Sequence, residues 1–596
     1  MKQHNLSTDN QPQAKKRINI KRSTLKRIYR YVFQYKYTLL IAFVLMLCSN
    51  LLALVGPKLA GYAIDAIGTQ PGNVHFAPVF QYVLIMLGCY ILSSVLSYIL
   101  SRLMIHLSRK ITYTLRREVF EHLITLPVGY FDKKQTGEIV SHLSYDINTI
   151  NASLSSDLLQ FATSAITVIV SFLMMLSISP VLLIVFAGTI PALIFFTRYR
   201  IKKVRPLFKK RSALLGILNG YGEEMLSGQK IISAYHREEQ VITAFSEKNT
   251  DAVDAHYNAD YQGSVAGPST TLINNLTQSF ISILGAALYL CGKITPGNIS
   301  SFLLYSRKFS GPINESANIL SDLQSSIAAA ERVFALLDEK SEPKDAADAR
   351  ILSSVEGDVT FSDINFGYDA DKIILHHLNF SVPPGKTVAI VGPTGAGKTT
   401  IINLLMRFYD PNSGCILLDG QDISVFTRTS LRRAYTMVLQ DTWLFGGTVF
   451  DNIAYGKENA TMEEVVRAAK TAHIHSFIES LPDGYHTVLR EDGINISKGQ
   501  KQLLTIARAM LSSTHMLILD EATSNVDSRT EKQIQNAMQA LMKDKTCFVI
   551  AHRLSTVENA DWILVVQNGD IVEQGTHQTL LKANGFYASI YNAQFS

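Results

Sequence analysis

Several stretches of this chain are too long and too apolar to be loops or ordinary core helices. No Asp, Glu, Lys or Arg occurs from Tyr37 to Pro57, between Asp65 and Arg102, over the 40 residues from Leu158 to Thr197, or from Tyr261 to Gly292. A helix that crosses a bilayer needs about 20 largely apolar residues, and its backbone must satisfy its own hydrogen bonds there. The run from Leu158 is split by Ser177-Ile178-Ser179-Pro180, which reads as two spans joined by a tight turn. A weaker stretch, Ile294 to Leu320, is interrupted by Arg307, Lys308 and Glu315. Charges at such depth are expensive, so these three are expected to face a cavity or to pair with one another. Counting this stretch gives six spans. Only 18% of the chain is charged, against about 25% in a soluble protein, and these runs account for the shortfall.

Charge distribution orients the spans. Residues 1–36 hold ten Lys or Arg against one acid, Asp9, and residues 198–211 hold eight basic residues and no acid. Segments 102–157 and 198–260 are rich in Lys and Arg, whereas the loops near 58–78, 177–180 and 292–296 carry at most one Lys each. The positive-inside rule then puts both termini in the cytoplasm, which requires an even number of spans. The basic N-terminus runs straight into a span without a cleavage site, so topology setting and anionic-lipid contact explain it better than nucleic-acid binding. Net charge is +6 overall, and no nucleic-acid partner is expected. The five cysteines (Cys48, Cys89, Cys291, Cys415, Cys547) form no CxxC pair, which excludes a zinc ribbon and argues against a disulfide framework.

The two cytoplasmic segments between spans show helical periodicity, so the membrane helices are expected to continue well beyond the bilayer. Residues 338–350 are polar and acidic, as in a linker. After Ile351, short β-rich runs such as Thr387–Val391 and Met516–Leu519 alternate with helical patterns, the signature of an α/β domain. The expected organisation is a basic segment (1–36), a six-span all-α membrane domain (37–337), the linker (338–350), and a P-loop NTPase domain (351–596).

Within that last domain, Gly392-Pro393-Thr394-Gly395-Ala396-Gly397-Lys398-Thr399-Thr400 follows the strand Thr387–Val391 and fits G-x-x-x-x-G-K-[ST]. Glycines let backbone N–H groups close around phosphates, and the next helix adds its N-terminal dipole. Lys398 is placed to reach the terminal phosphates of ATP, and the Thr399 hydroxyl to ligate Mg2+. Further on, the apolar strand Met516–Leu519 runs into Asp520 and Glu521. Asp520 suits Mg2+ through water, and Glu521 suits a base that polarises the attacking water.

Between these motifs stands Ile496-Ser497-Lys498-Gly499-Gln500. It resembles the LSGGQ signature of ATP-binding cassette (ABC) transporters, and other cassette motifs fall in order around it. Tyr368 is similar to the aromatic that stacks on adenine. Gln440 resembles the Q-loop residue, which the resemblance places among the Mg2+ ligands and the catalytic groups. Ser524-Asn525-Val526-Asp527 resembles the D-loop and His552 the switch histidine. Ser497, Gly499 and Gln500 are then implied to meet the ATP held by a second cassette. The membrane half is similar to the exporters of this superfamily. Phe131-Asp132, Gly137-Glu138 and Ser141 match the first coupling region, and Glu223-Glu224, Gly228 and Arg237-Glu238 match the second. His142 stands where many members have Arg. The resemblance implies an exporter-type (type IV) fold with helices intertwined between two chains, and Trp443 as a packing anchor.

Lys498 departs from the consensus, where a glycine lets backbone approach a γ-phosphate, while Glu521, His552 and the P-loop are intact. Heterodimeric multidrug exporters of this superfamily show that split, the altered signature residing on the chain with the intact glutamate. The resemblance therefore implies one half of a heterodimeric pump in the cell membrane that exports hydrophobic or amphiphilic small molecules and contacts membrane lipid. A homodimeric exporter of lipid, lipopeptide or peptide is the alternative. A soluble cassette ATPase acting on DNA or ribosomes is excluded by the membrane segments.

Overall fold

The computed structural model describes residues 22–68, 76–369, 372–440, 442–489, 496–520, 527–551 and 554–595. They divide into a helical unit, residues up to 125 with 135–339, and an α/β unit, 126–134 with 340 onward.

Ten helices follow one another up to residue 337: α1 (Arg22–Phe33), α2 (Lys36–Ile67), α3 (Phe76–Leu123), α4 (Val128–Lys133), α5 (Thr136–Ile178), α6 (Ile184–Ser227), α7 (Gln229–Ala234), α8 (Glu238–Ser264), α9 (Ala266–Leu290) and α10 (Pro296–Leu337). All but α4 belong to the helical unit. The 48 residues of α3 and 44 of α6 extend about 72 and 66 Å, more than twice the roughly 30 Å of bilayer hydrocarbon. Among the described residues four helices, α2, α3, α5 and α6, are long and apolar enough to cross a membrane by length and composition. The expected fifth and sixth spans fall on α9 and α10, which are helical but diluted by Asn274, Asn275 and Gln278 and by Arg307, Lys308 and Glu315. The count of six therefore stands beside four clear spans.

Small and hydroxyl residues draw these helices together. Ser49 on α2 and Ser93 on α3 exchange hydrogen bonds with each other's carbonyls at 3.0 and 2.8 Å. Asn50 donates to the Thr163 carbonyl on α5 and accepts from the Thr167 hydroxyl, both at 3.1 Å. The seam between α2 and α10 is the tightest. Around Pro57 of α2, α10 contributes hydrogen bonds from Tyr305 Oη to the Leu54 carbonyl (2.6 Å) and from Ser301 Oγ to the Pro57 carbonyl (2.9 Å). One turn on, Gly61 and Gly297 meet so closely that a Cβ on Gly297 would lie 2.0 Å from the Gly61 carbonyl oxygen. At the end of the seam the Asp65 carboxylate accepts from Thr295 Oγ1 and from the Gly297 N–H, each at 2.7 Å. Every fourth residue of α10, at 297, 301 and 305, thus faces α2.

Farther along the helical unit, buried Asp146 receives Arg332 of α10 through Nε (2.9 Å) and Nη2 (2.5 Å). His142, inside a π-turn of α5, hydrogen-bonds the same carboxylate at 2.7 Å.

The α/β unit holds two larger sheets. The antiparallel one runs Leu375–Val382, Val359–Phe366, Ser413–Leu418, Gln421–Asp422. The six-stranded one runs Asp570–Gly575, Trp562–Gln567, Thr387–Val391, Thr546–Ile550, Met516–Asp520, Tyr435–Val438. All its pairings are parallel except that of the Asp570–Gly575 edge strand. Its central strands are near-continuous apolar runs because helices and the antiparallel sheet cover both faces.

Gly297→Val would force α10 off α2. We expect the full-length protein in detergent to lose about 1–3 kcal/mol, read as a lowered melting temperature. An unchanged melting temperature would show that the seam is not a tight constraint.

Candidate nucleotide site

Parallel strands collect the site. Ile390, Ile550 and Asp520 are register partners on adjacent strands, and Val438 pairs with Leu519 on the next. The segments that leave the carboxyl ends of these four strands therefore emerge along one edge of the sheet, where ligands bind in α/β folds. They carry the P-loop after Val391, His552 after Ile550, Glu521 after Asp520, and Gln440 after Val438. Glu521, His552, Ser524, Asn525 and Val526 lie outside the described residues, while the strand ends that deliver Glu521 and His552 lie within them.

In the P-loop, Gly395 (φ 83°) and Gly397 (φ 106°) adopt left-handed backbone that a side chain would strain. Gly397 caps the helix Lys398–Leu405, so the loop's N–H groups and the helix dipole share one pole. Lys398 Nζ donates to the carbonyls of Gly392 (2.8 Å) and Pro393 (3.0 Å). Burial pulls its pKa below the ordinary lysine value, and the charge of Asp520 pulls partly back. Pro393, Thr394 and Thr399 are exposed, whereas Ala396 and Thr400 are buried beneath the loop.

Tyr368 sits beside this cradle. Its hydroxyl shares a hydrogen bond with Thr400 Oγ1 (3.2 Å) and accepts from Asn403 Nδ2 (3.0 Å), both on the P-loop helix. Its ring is held edge-to-face by Phe366 and Tyr409, with centroids 5.1 and 4.9 Å away. An aromatic so fixed can stack a base while the loop holds its phosphates.

The sequence motifs do not include Tyr409. Its hydroxyl donates to Asp132 Oδ2 at 2.6 Å. Asp132 lies on α4, which belongs to the α/β unit, and the neighbouring Lys133 pairs with Asp369 at 3.1 Å. A Cβ on Gly129 would approach the Tyr409 ring to 2.9 Å. Burial, then the Asp132 hydrogen bond, raises the Tyr409 pKa, so the phenol stays a donor throughout the physiological range. Asp132 is thereby one residue removed from the Tyr368 ring, through Tyr409.

The signature segment caps its own helix, Lys498–Leu511. Ser497 Oγ accepts from the Gln500 N–H (3.3 Å), and Gln500 Oε1 accepts from the Ser497 N–H (2.9 Å). Ile496 is buried in an apolar cluster, which explains why it substitutes for Leu, and Gly499 is buried behind it. Lys498 is exposed on the first turn. From the same helix, Arg508 donates to the Asn452 carbonyl (2.7 Å) and to the Trp443 carbonyl (3.1 Å), tying the signature helix to the segment that follows Gln440. Gln440 is itself exposed, and Trp443, expected as a packing anchor, is 60% exposed. Asp527 caps the next helix, Ser528–Met542, by accepting from the Thr530 N–H at 3.0 Å. Oxygen donors on Thr399, Asp520 and Gln440 make a set that suits a hard divalent cation.

Residues 39–313 match the ABC transporter transmembrane region family, and residues 375–524 match the ABC transporter family. An uncharacterised ABC transporter ATP-binding protein of Bacillus subtilis is 42% identical over 592 residues, covering 99% of this chain and 98% of its own. A fatty acid ABC transporter ATP-binding/permease protein of Mycobacterium bovis is 41% identical, covering 89% of this chain and 84% of its own. Among solved structures, a bacterial Atm1-family ABC exporter with ATP bound superposes with a TM-score of 0.74 at 31% identity, covering 94% of this chain and 98% of its own. With its membrane helices and its phosphate cradle on one polypeptide, the chain belongs to the ABC transporter family, as a multi-pass membrane exporter that couples ATP hydrolysis to transport.

Proposed function

We propose that this chain is one half of a cell-membrane exporter with both termini in the cytoplasm, moving hydrophobic or amphiphilic small molecules and working beside a non-identical second half. The observation that carries the asymmetry is the exposed Lys498 on the first turn of the signature helix, in a chain whose P-loop and Asp520–Glu521 pair keep the consensus chemistry. Two identical halves would each present that lysine to the other's γ-phosphate, where geometry matters more than charge. A different partner presents a consensus signature instead. Six spans, α2, α3, α5, α6, α9 and α10, complete the membrane domain. The name of the 41% identical relative, a fatty acid transporter, favours a second reading, a homodimeric exporter of lipid.

In the proposed cycle Tyr368 stacks on adenine, and Gly392, Gly395, Gly397, Thr399 and Thr400 hold the phosphates through backbone N–H groups. Lys398 exchanges its loop carbonyls for the terminal phosphates. Thr399, Asp520 and Gln440 would hold Mg2+, which when bound neutralises charge between the phosphates. Glu521 polarises the attacking water and His552 orients the γ-phosphate. The partner's signature closes over this site, while Ser497, Gly499 and Gln500 close over the partner's. Movement of the cassette is carried to α4 through Tyr409 and Asp132, and α4 is joined covalently to α3 and α5.

Expressed alone in membranes, the chain is expected to give little substrate-stimulated ATPase activity or efflux, and full activity from a purified homodimer would replace this reading with the homodimeric one. Glu521→Gln should reduce steady-state hydrolysis to below about a tenth while ATP still binds, as for removal of a group that orients the nucleophile. Turnover above that level would show that another group is the principal base. Tyr409→Phe keeps the ring against Tyr368 but deletes the donor to Asp132. Nucleotide affinity should stay within about twofold, while substrate moved per ATP hydrolysed falls several-fold, as for loss of a charge-assisted hydrogen bond. An unchanged ratio would remove Tyr409 from the coupling route.

A further inference from the structure

Parallel strands have two ends, and the nucleotide site occupies only the carboxyl ends. At the amino ends, just before Met516 and Thr546, the α/β unit holds a cleft of about 410 Å3. It is walled by the helix Met462–Thr471 and by the far ends of the signature helix and of the helix Ser528–Met542. The signature helix is 14 residues long, so the cleft lies about 21 Å from Ser497. Glu464, Arg467 and Thr471 share one side of the helix Met462–Thr471 by their three- and four-residue spacing, and all three line the cleft. Lys543-Asp544-Lys545 turns from helix to strand through Asp544, whose φ of 59° is left-handed. Both lysines line the cleft and the aspartate between them does not.

The one carboxylate in the lining is already engaged: Glu464 accepts from Lys457 Nζ at 2.6 Å and from the Thr461 N–H at 3.1 Å. Arg467, Lys543 and Lys545 form no ion pair among the described residues. A helix C-terminus attracts cations, but that accounts for Lys543 alone, since Arg467 is in mid-helix and Lys545 adjoins the strand Thr546–Ile550. Lys545 is half-buried, and desolvation pulls its pKa below the ordinary lysine value with no carboxylate to offset it. A cation so placed carries a cost that a bound anion recovers. Met510 and Leu511 supply partly buried apolar surface, and Ser512 a hydroxyl. Among the described residues no aromatic ring lines the cleft, so a base has nothing to stack on and phosphate charge is what these side chains can read. We propose that this cleft is a second anion site, separate from the P-loop, which binds a diphosphate group: the Arg467 fork takes one phosphate, and Lys543 and Lys545 act as point charges on the other. The group arrives either free, as pyrophosphate, or as the tail of a small phosphorylated metabolite whose organic part lies on Met510 and Leu511. An occupant joins the far end of the signature helix to its two neighbouring helices.

The full-length transporter, with its partner half where one is needed, is held in detergent with its P-loops filled by a non-hydrolysable ATP analogue and Mg2+, and is titrated with pyrophosphate by calorimetry. Filling the P-loops first leaves the cleft as the site that is read. Wild type is expected to bind with a dissociation constant below about 1 mM. Lys545→Gln and Arg467→Gln should each weaken binding by about tenfold or more, and Lys545→Arg should keep it within about threefold, as for loss and retention of a partly desolvated charge pair. Lys470→Gln removes an exposed cation from the same helix outside the cleft, and should change the affinity by less than about twofold, as for a solvated charge. Melting temperatures establish that the variants are folded. Guanosine diphosphate, titrated in the same way, separates the two sources: affinity about tenfold or more above that of pyrophosphate assigns the tail of a nucleotide-like metabolite, and any smaller ratio assigns the free anion. The proposal is overturned if wild type shows no saturable pyrophosphate binding below about 1 mM, if either glutamine variant in the cleft binds as wild type does, or if Lys470→Gln loses as much as they do.

Discussion

A peptide group left unpaired in hydrocarbon costs several kcal/mol, and no water is at hand to relieve it. The membrane half of this chain is organised by that penalty. It makes every apolar run a helix, and beside Pro57 a neighbouring helix adds hydrogen bonds to the Leu54 and Pro57 carbonyls through Tyr305 and Ser301. Hydroxyls can reach those carbonyls only if the backbones come close, and so Gly61 and Gly297 stand where the two helices cross. Asp65 then secures the end of the same seam. Apolar attraction contributes little here, because lipid tails offer Leu and Phe the same surroundings.

The α/β half obeys the opposite solvent. Its strands bury apolar side chains on both faces, and its polar chemistry is displaced to the strand ends, where backbone groups run out of sheet partners. Phosphate cradle, acidic strand end and Q-loop are neighbours because parallel strands end in register. Tyr368 is set apart, reaching the cradle from a different sheet, and its place depends on Thr400, Asn403 and two aromatic neighbours.

Much of this was legible in the sequence because it is written locally. Gly395, Gly397 and Lys398 are fixed by a loop nine residues long, and the charge-free runs need no partner to be recognised. Ile496 keeps the apolar character of the signature's Leu, and it is buried. What was not legible depends on residues distant in sequence. Tyr409 acquires meaning only against Asp132, 277 positions away. Polar residues thin the apolar signal on α9 and α10, which is why four helices meet the length and composition of a span where the sequence reading counts six. Glu521 and His552 were named from motif alone, and their side-chain geometry lies outside the described residues.

The division of the chain at α4 has a bearing on inheritance. The boundary between the two units is crossed three times, near residues 125, 134 and 339, so the ATPase body is not a single cassette that recombination can exchange at one point. A swap beginning at residue 340 would import a new residue 409 and 369 while leaving the old Asp132 and Lys133 behind. Only exchanges in which the two sets already agree would keep the phenol–carboxylate bond and the lysine–carboxylate pair. Six residues of helix between two membrane crossings thus act as a compatibility filter, and an ATPase half grafted from a relative should arrive together with residues 126–134 or find its own docking residues unmatched.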